Sequence, residues 1–378
     1  MIVISTVLSN GRPALALLAK RAYRLAGTAL SPDREEQPIR SEPETAPSSN
    51  PGALDRLVHE SDLFAAARPL CDILVHGSVR PTRGPVKTLD TGVKIGTSKK
   101  VVRVWGDRTI AVDPPGRLRF SEPAPFSSMP LAWDNAYGGR DEHAEQRLFP
   151  PKKGRLGRPP EDDGPHVIGY PRNAAGRGFF IDMDRDRLEG ARAPNLEDPE
   201  DPATADRLLA KGPFDWLDRP TAACYSPLDI FTFPRAAFLV APAFDPPARP
   251  IREIQLGALR EVDLGGQDLR KPRLDLRAAQ CAPPGLSFAV TGRTRVSLWN
   301  LWPGREMVEI DLPPEVPQLI LEPQGCPPVH LKPLLKTILF DLDEEQIVLT
   351  WSGALEVAAP YPGEMCASMR RAVKWAKR

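Results

Sequence analysis

The chain has 378 residues, with 44 prolines, 28 glycines, and 50 Lys and Arg against 49 Asp and Glu. Proline at 44 of 378, about 12% against a usual share of roughly 5%, excludes long bundles and coiled coils, because each interior proline costs a helix ~3 kcal/mol. The lack of a Gly-X-Y period excludes collagen, and a net charge of +1 argues against wholesale binding to nucleic acid or anionic lipid.

Residues 1–30 hold two β-like runs, Ile2–Thr6 and Ala14–Leu25, parted by the turn cluster Ser9-Asn10-Gly11-Arg12-Pro13. The apolar stretch Ala14–Ala19 resembles a signal-peptide core, but no Lys or Arg comes before it until Arg12, and Lys20, Arg21 and Arg24 follow it, which is the wrong order. No apolar run approaches the length of a membrane-spanning helix. The five cysteines, Cys71, Cys224, Cys281, Cys326 and Cys366, are widely spaced and form no Cys-x-x-Cys pair, which fits a reducing compartment. A cytoplasmic protein is expected. Residues 31–53 are charged and rich in proline and serine, and read as a long exposed loop or linker.

Strand signals return at Cys71–Val79, Val86–Leu89 and Val93–Ile95, the last two flanking a turn at Asp90-Thr91-Gly92. Val101–Trp105 and Arg108–Val112 flank Gly106-Asp107, the composition of a two-residue hairpin. Residues 131–228 differ in character, being rich in Gly, Pro, Arg and Asp, with Arg140–His166 reading as a mobile surface loop. From Phe231 onward β character resumes. Val308, Ile310 and Leu312 alternate with acidic residues, and Ile338–Leu342 and Ile347–Trp351 form a hairpin across Asp343–Gln346. In Gly363–Arg378 the apolar residues Met365, Met369, Ala372, Val373 and Ala376 fall at helical spacing, predicting a short basic amphipathic helix over 361–378.

The chemical motifs are weak. Asp90-Thr91-Gly92 matches the core of an aspartic protease signature, but that chemistry needs two carboxylates sharing a proton and only one copy is present. Asp182-x-Asp184-x-Asp186 begins like a calcium loop, yet Arg187 stands at the sixth position and Ala193 at the twelfth. The five histidines never pair at i, i+4, and no Gly-x-Ser-x-Gly elbow occurs. Asn173 to Phe179 is glycine-rich without the spacing of a phosphate loop, so it reads as a tight turn. The basic residues Arg370, Arg371, Lys374, Lys377 and Arg378 suit a solvated terminal face better than an RNA site. No catalytic residue, metal ligand or cofactor-binding residue is assigned.

Several segments, taken in order, resemble one family. Ser61-Asp62-Leu63, Cys71–Gly77 and Val104-Trp105-Gly106-Asp107-Arg108 are similar to its early motifs. Ser128-Met129-Pro130-Leu131-Ala132-Trp133, followed by Ala136-Tyr137-Gly138-Gly139, closely resembles its most distinctive signature. Asn173, Gly176, Arg177, Gly178 and Phe179 match its Asn-Pro-x-Gly-x-Gly-Phe turn, with Ala174 in place of the proline, and Pro194-Asn195-Leu196-Glu197 follows. Leu298–Gly304 and Phe340–Trp351 continue the resemblance, whereas Phe231–Leu276 departs from the family pattern. The family is the domain of unknown function numbered 2169. The resemblance implies a non-enzymatic adaptor or chaperone of bacterial type VI secretion. Such an adaptor binds a secreted effector and helps load it onto the valine-glycine-repeat spike protein. The alternative is a hydrolase with an unrecognised catalytic site.

The expected architecture is mainly β, of antiparallel sheets, as one family domain over 1–360 followed by the short helix. Lobes at 1–130 and 229–360 would be joined by the loop-rich centre. Trp133, Tyr137, Gly138, Gly139, Asn173, Gly176, Arg177, Gly178 and Phe179 are expected either to pack the core or to line a client surface, and core packing suits aromatic residues flanked by glycine.

Overall fold

A computed structural model describes residues 1–8, 12–27, 29–33, 37–96, 98–148, 150, 168–212, 215–238, 276–290, 294–313, 315–323 and 325–377. The protein is mainly β, built on a seven-stranded and a five-stranded sheet with smaller sheets of two or three strands around them. Most pairings are antiparallel, but Cys71–His76 lies parallel to Leu334–Asp341.

The seven-stranded sheet runs in the order Ile2–Val7, Pro13–Ala26, Gln346–Glu356, Leu334–Asp341, Cys71–His76, Ser287–Phe288, with Ala29–Pro32 beside Pro13–Ala26. The continuous apolar run of its second strand has a direct cause. Leu15, Leu17 and Ala19 pack against Leu319, Leu321 and Leu331 on one face, while Ala16 and Leu18 pack against Ala65 and Ala66 on the other. A strand covered on both faces has no need of polar alternation. The predicted hairpin is present, with Phe340 opposite Ile347 and Glu345 at φ +50° in its turn. A bulge at Lys336 turns its ammonium inward to donate to the Arg68 carbonyl oxygen at 2.6 Å.

The five-stranded sheet runs Leu196–Glu197, Ser98–Trp105, Thr88–Ile95, Arg295–Trp299, Met307–Asp311. In Met307–Asp311, Val308 and Ile310 are buried and the residues between them exposed, as the alternation predicts. Both large sheets take strands from each end of the chain, so 1–130 and 229–360 interleave and are not separate lobes.

Two turn expectations fail. Asp90-Thr91-Gly92 lies inside the continuous strand Thr88–Ile95. Asp90 pairs across the sheet with Arg103 through two hydrogen bonds of 2.7 and 2.9 Å. The Trp299 indole lies across Gly92, where an added Cβ would be 1.8 Å from a ring carbon. Cross-strand packing thus overrides the turn composition of these residues. Gly106-Asp107 joins no hairpin either. Ile110–Asp113 pairs with Arg117–Phe120 instead, around Gly116 at φ +95°. Gly106 serves a close approach, since a Cβ there would sit 1.7 Å from the Ala124 carbonyl oxygen.

The chain's end is a further correction. The predicted C-terminal helix covers only Gly363–Ser368, and Arg370–Lys377 is a strand paired with Glu315–Glu322. Val373 and Trp375 point to the buried side with period two, a stronger commitment than the helical spacing of the methionines. The Arg21 guanidinium stacks on the Trp375 ring at 4.7 Å. The short helix covers the outer edge strand Ile2–Val7, and the Tyr361 amide donates to Ser5 Oγ at 3.2 Å.

The expected mobile loop at 140–166 begins as a helix, Glu142–Leu148, and its remainder lies mostly outside the described residues, as does most of the divergent stretch 231–276. No described helix is long and apolar enough to cross a membrane.

Candidate functional site

The residues singled out from sequence converge in one place. Trp133–Asn135 forms a short 3-10 turn, and Tyr137–Gly138 then runs parallel to Arg177–Gly178. Glycine allows the two segments to touch backbone to backbone. Gly138, at φ +148°, leaves no room for a side chain, because a Cβ would lie 2.1 Å from the Asn173 carbonyl oxygen. A Cβ on Gly139, at φ +101°, would lie 2.5 Å from the Gly176 carbonyl oxygen.

Asn173 closes the junction. Its Nδ2 donates to the carbonyl oxygens of Trp133 and Tyr137 at 2.8 and 3.0 Å, and its own carbonyl accepts from Gly139 N at 2.8 Å. Arg177 is buried beneath it. Its guanidinium donates to the Asp134 carbonyl (2.8 Å), Asn195 Oδ1 (3.1 Å), Asn135 Oδ1 (2.6 Å) and Ser49 Oγ (3.1 Å). These acceptors are all neutral, and burial, with Arg192 nearby, brings the Arg177 pKa down to about 10. Neutral oxygens satisfy the fork without removing its charge.

The aromatic residues fill the space behind this junction. Tyr137 meets Tyr170 edge-on at 4.9 Å, and Phe179 lies 5.6 Å from Tyr170. The Tyr137 hydroxyl donates to the Leu208 carbonyl (3.2 Å), that of Tyr170 to Pro220 (2.8 Å), and the Trp133 indole to Pro227 (2.8 Å). Burial pushes both phenols above their usual range, so they serve as donors. Trp133, Tyr137, Asn173, Arg177 and Phe179 are buried at 5% exposure or less, so most of the signature is core rather than surface.

Sequence reasoning missed the third partner of this junction. The segment read as an exposed linker, 31–53, folds back onto it. Asn50 Nδ2 contacts the carbonyl oxygens of Asp134, Ala175 and Gly176 at 2.8–3.0 Å, and Ser48 Oγ donates to Ala175 at 2.7 Å. The Ser48-Ser49-Asn50-Pro51-Gly52 run carries turn chemistry, the one local signal that this stretch is ordered.

An open groove of about 650 Å³ lies over the junction. Trp133, Asn173 and Ala175 line it from the signature, Tyr170 from the aromatic cluster beside it, Leu54 from the returning segment, and Leu228 and Phe231 from a third wall. Leu54 is 49% and Phe231 80% exposed, so two large apolar side chains of one groove face solvent together. The third wall is anchored from below by Arg235, whose guanidinium pairs with buried Glu60 and donates to the Leu228 carbonyl at 2.7 Å.

A second, smaller cavity holds polar groups. Lys20 pairs with Asp62 at 2.8 Å, and the rings of His59 and His76 lie 4.5 Å apart. Burial, then the charges of Arg40, His76 and Lys20, lower the His59 pKa to about 3. The other motifs are occupied locally. Hydrogen bonds from Arg103 hold the Asp90 carboxyl below its usual range, the reverse of what a proton-sharing dyad needs. Asp182 forms two hydrogen bonds with Arg185. Among the described residues, no group of three or more His, Cys, Asp or Glu is placed to hold a metal ion.

No curated protein and no solved structure matches the chain. A family model does, over residues 10–352, a span that takes in both glycine-rich segments, Asn50 and the whole groove. The chain therefore belongs to the family described as uncharacterized protein conserved in bacteria, DUF2169.

Proposed function

We propose that the protein is a non-enzymatic adaptor or chaperone that binds a type VI secretion effector and helps load it onto the valine-glycine-repeat spike protein. Family membership and the sequence resemblance support this reading. The observation that carries it is the apolar groove built directly on the signature junction, with Leu54 and Phe231 displayed at its mouth. A base of interlocked backbone beneath a solvent-exposed apolar surface suits recognition of another protein. Such a protein would act in the cytoplasm, before secretion.

Co-expression with each product of the genes flanking its own, followed by affinity capture of the tagged chain, tests the proposal. One neighbour is expected to co-purify in stoichiometric amount. Capture of none of them would count against it.

A further inference from the structure

The groove has a charge character as well as an apolar one. Asp55 and Asp229 both line it, beside Leu54 and Phe231. One cation, Arg56, also lines it, and both Arg56 and the nearby Arg172 are engaged by other groups. Arg56 faces the carboxylate of Asp134 at 3.5 Å, and the guanidinium of Arg172 stacks on Trp216 at 5.2 Å. Asp229 Oδ1 accepts from the Phe231 amide at 2.8 Å, which fixes the carboxylate next to the exposed ring. The result is an apolar trough with a negative rim on a chain of nearly balanced charge.

We infer that the groove captures a short segment of a partner protein in which large apolar side chains are flanked by Lys or Arg. The apolar side chains enter between Leu54 and Phe231, and the cations meet Asp55 and Asp229. A volume of about 650 Å³ suits a peptide segment or small ligand, and the carboxylates select the sign of its charge. An acidic segment would place like charges together, so the rim discriminates as well as attracts. On the adaptor reading, on which the partner's identity rests, this segment belongs to the client effector.

The test uses the full chain and three fluorescein-labelled peptides of about ten residues. One carries Trp and Leu between lysines, one the same apolar residues between glutamates, and one lysines with Ser and Gly in place of the apolar residues. Fluorescence anisotropy is expected to show the first binding at least about tenfold more tightly than either of the others. Leu54→Ser with Phe231→Ser lowers that affinity at least about tenfold, and Asp55→Asn with Asp229→Asn cuts the preference for lysine over glutamate to under about threefold. Leu54 and Phe231 are exposed, so their double variant keeps the wild-type thermal melt. Equal binding of the basic and acidic peptides, or binding unmoved by the Leu54 and Phe231 substitutions, overturns the inference. The two proposals fail separately. A neighbour captured equally by wild type and the Leu54, Phe231 variant removes the groove and leaves the adaptor. Selective peptide binding with no neighbour captured removes the adaptor and leaves the groove.

Discussion

Arg177 donates to Asn135 Oδ1 at 2.6 Å, and through that bond the second glycine-rich segment holds the aromatic turn. The same guanidinium reaches Asn195 and Ser49, so four stretches of chain meet on one side chain. Removing it leaves several buried acceptors unpaired. Arg177→Ala is expected to lower unfolding stability by about 3 kcal/mol in urea titration. Arg177→Lys should recover only part of this, because a single ammonium cannot span the fork's acceptors.

Glycine at the junction is a steric requirement, which a matched pair of substitutions isolates. Gly138→Ala meets both a positive φ and the Asn173 carbonyl oxygen, so a loss above about 3 kcal/mol or insoluble expression is expected. Gly190, at φ +77° with nothing within 4 Å of an added Cβ, serves as control. Its alanine variant should lose only about 1 kcal/mol by thermal melting.

His59 predicts acid sensitivity with a definite sign. Its folded pKa of about 3 lies below the ordinary 6.5, so between those values the unfolded chain binds a proton that the folded chain does not. Stability falls as pH drops from 6.5 toward 3 and owes nothing to this group above 6.5. Chemical denaturation across that range should show a slope from this one residue of at most about 1.4 kcal/mol per pH unit. His59→Gln should flatten the slope by that amount.

Asp90 distinguishes a surface ion pair from a catalytic aspartate. Asp90→Asn removes one partner of an exposed pair with Arg103 and is expected to cost less than about 1 kcal/mol. A peptide-hydrolysing activity abolished by this change would revive the protease reading.

Much of the fold was legible because the strongest signals were periodic. Ile338–Trp351 and Val308–Ile310 show period two and are strands, and Ala14–Ala19 is continuous and buried on both faces. The failures share a physical cause. Asp90 and Gly92 are poor strand residues taken into a strand by Arg103 on the next strand and by Trp299, which is distant in sequence. The C-terminal stretch carried two superposed periods, and pairing with Glu315–Glu322 selected the strand. The signature residues were found by pattern, and their aromatic members are core, as glycine-flanked aromatics suggest. Asn50 was not legible as a site residue, because the junction it joins is made by Asp134 and Ala175, far along the chain. Leu54 and Phe231 carried no local signal either. Exposure is a property of the assembled surface.

The adaptor account is tested most directly by the steady-state amount of the flanking-gene effector in cells with and without this protein, measured by quantitative immunoblot. The account predicts a several-fold fall on deletion, restored by the wild-type chain. An effector level unchanged on deletion, together with no captured neighbour, would contradict it.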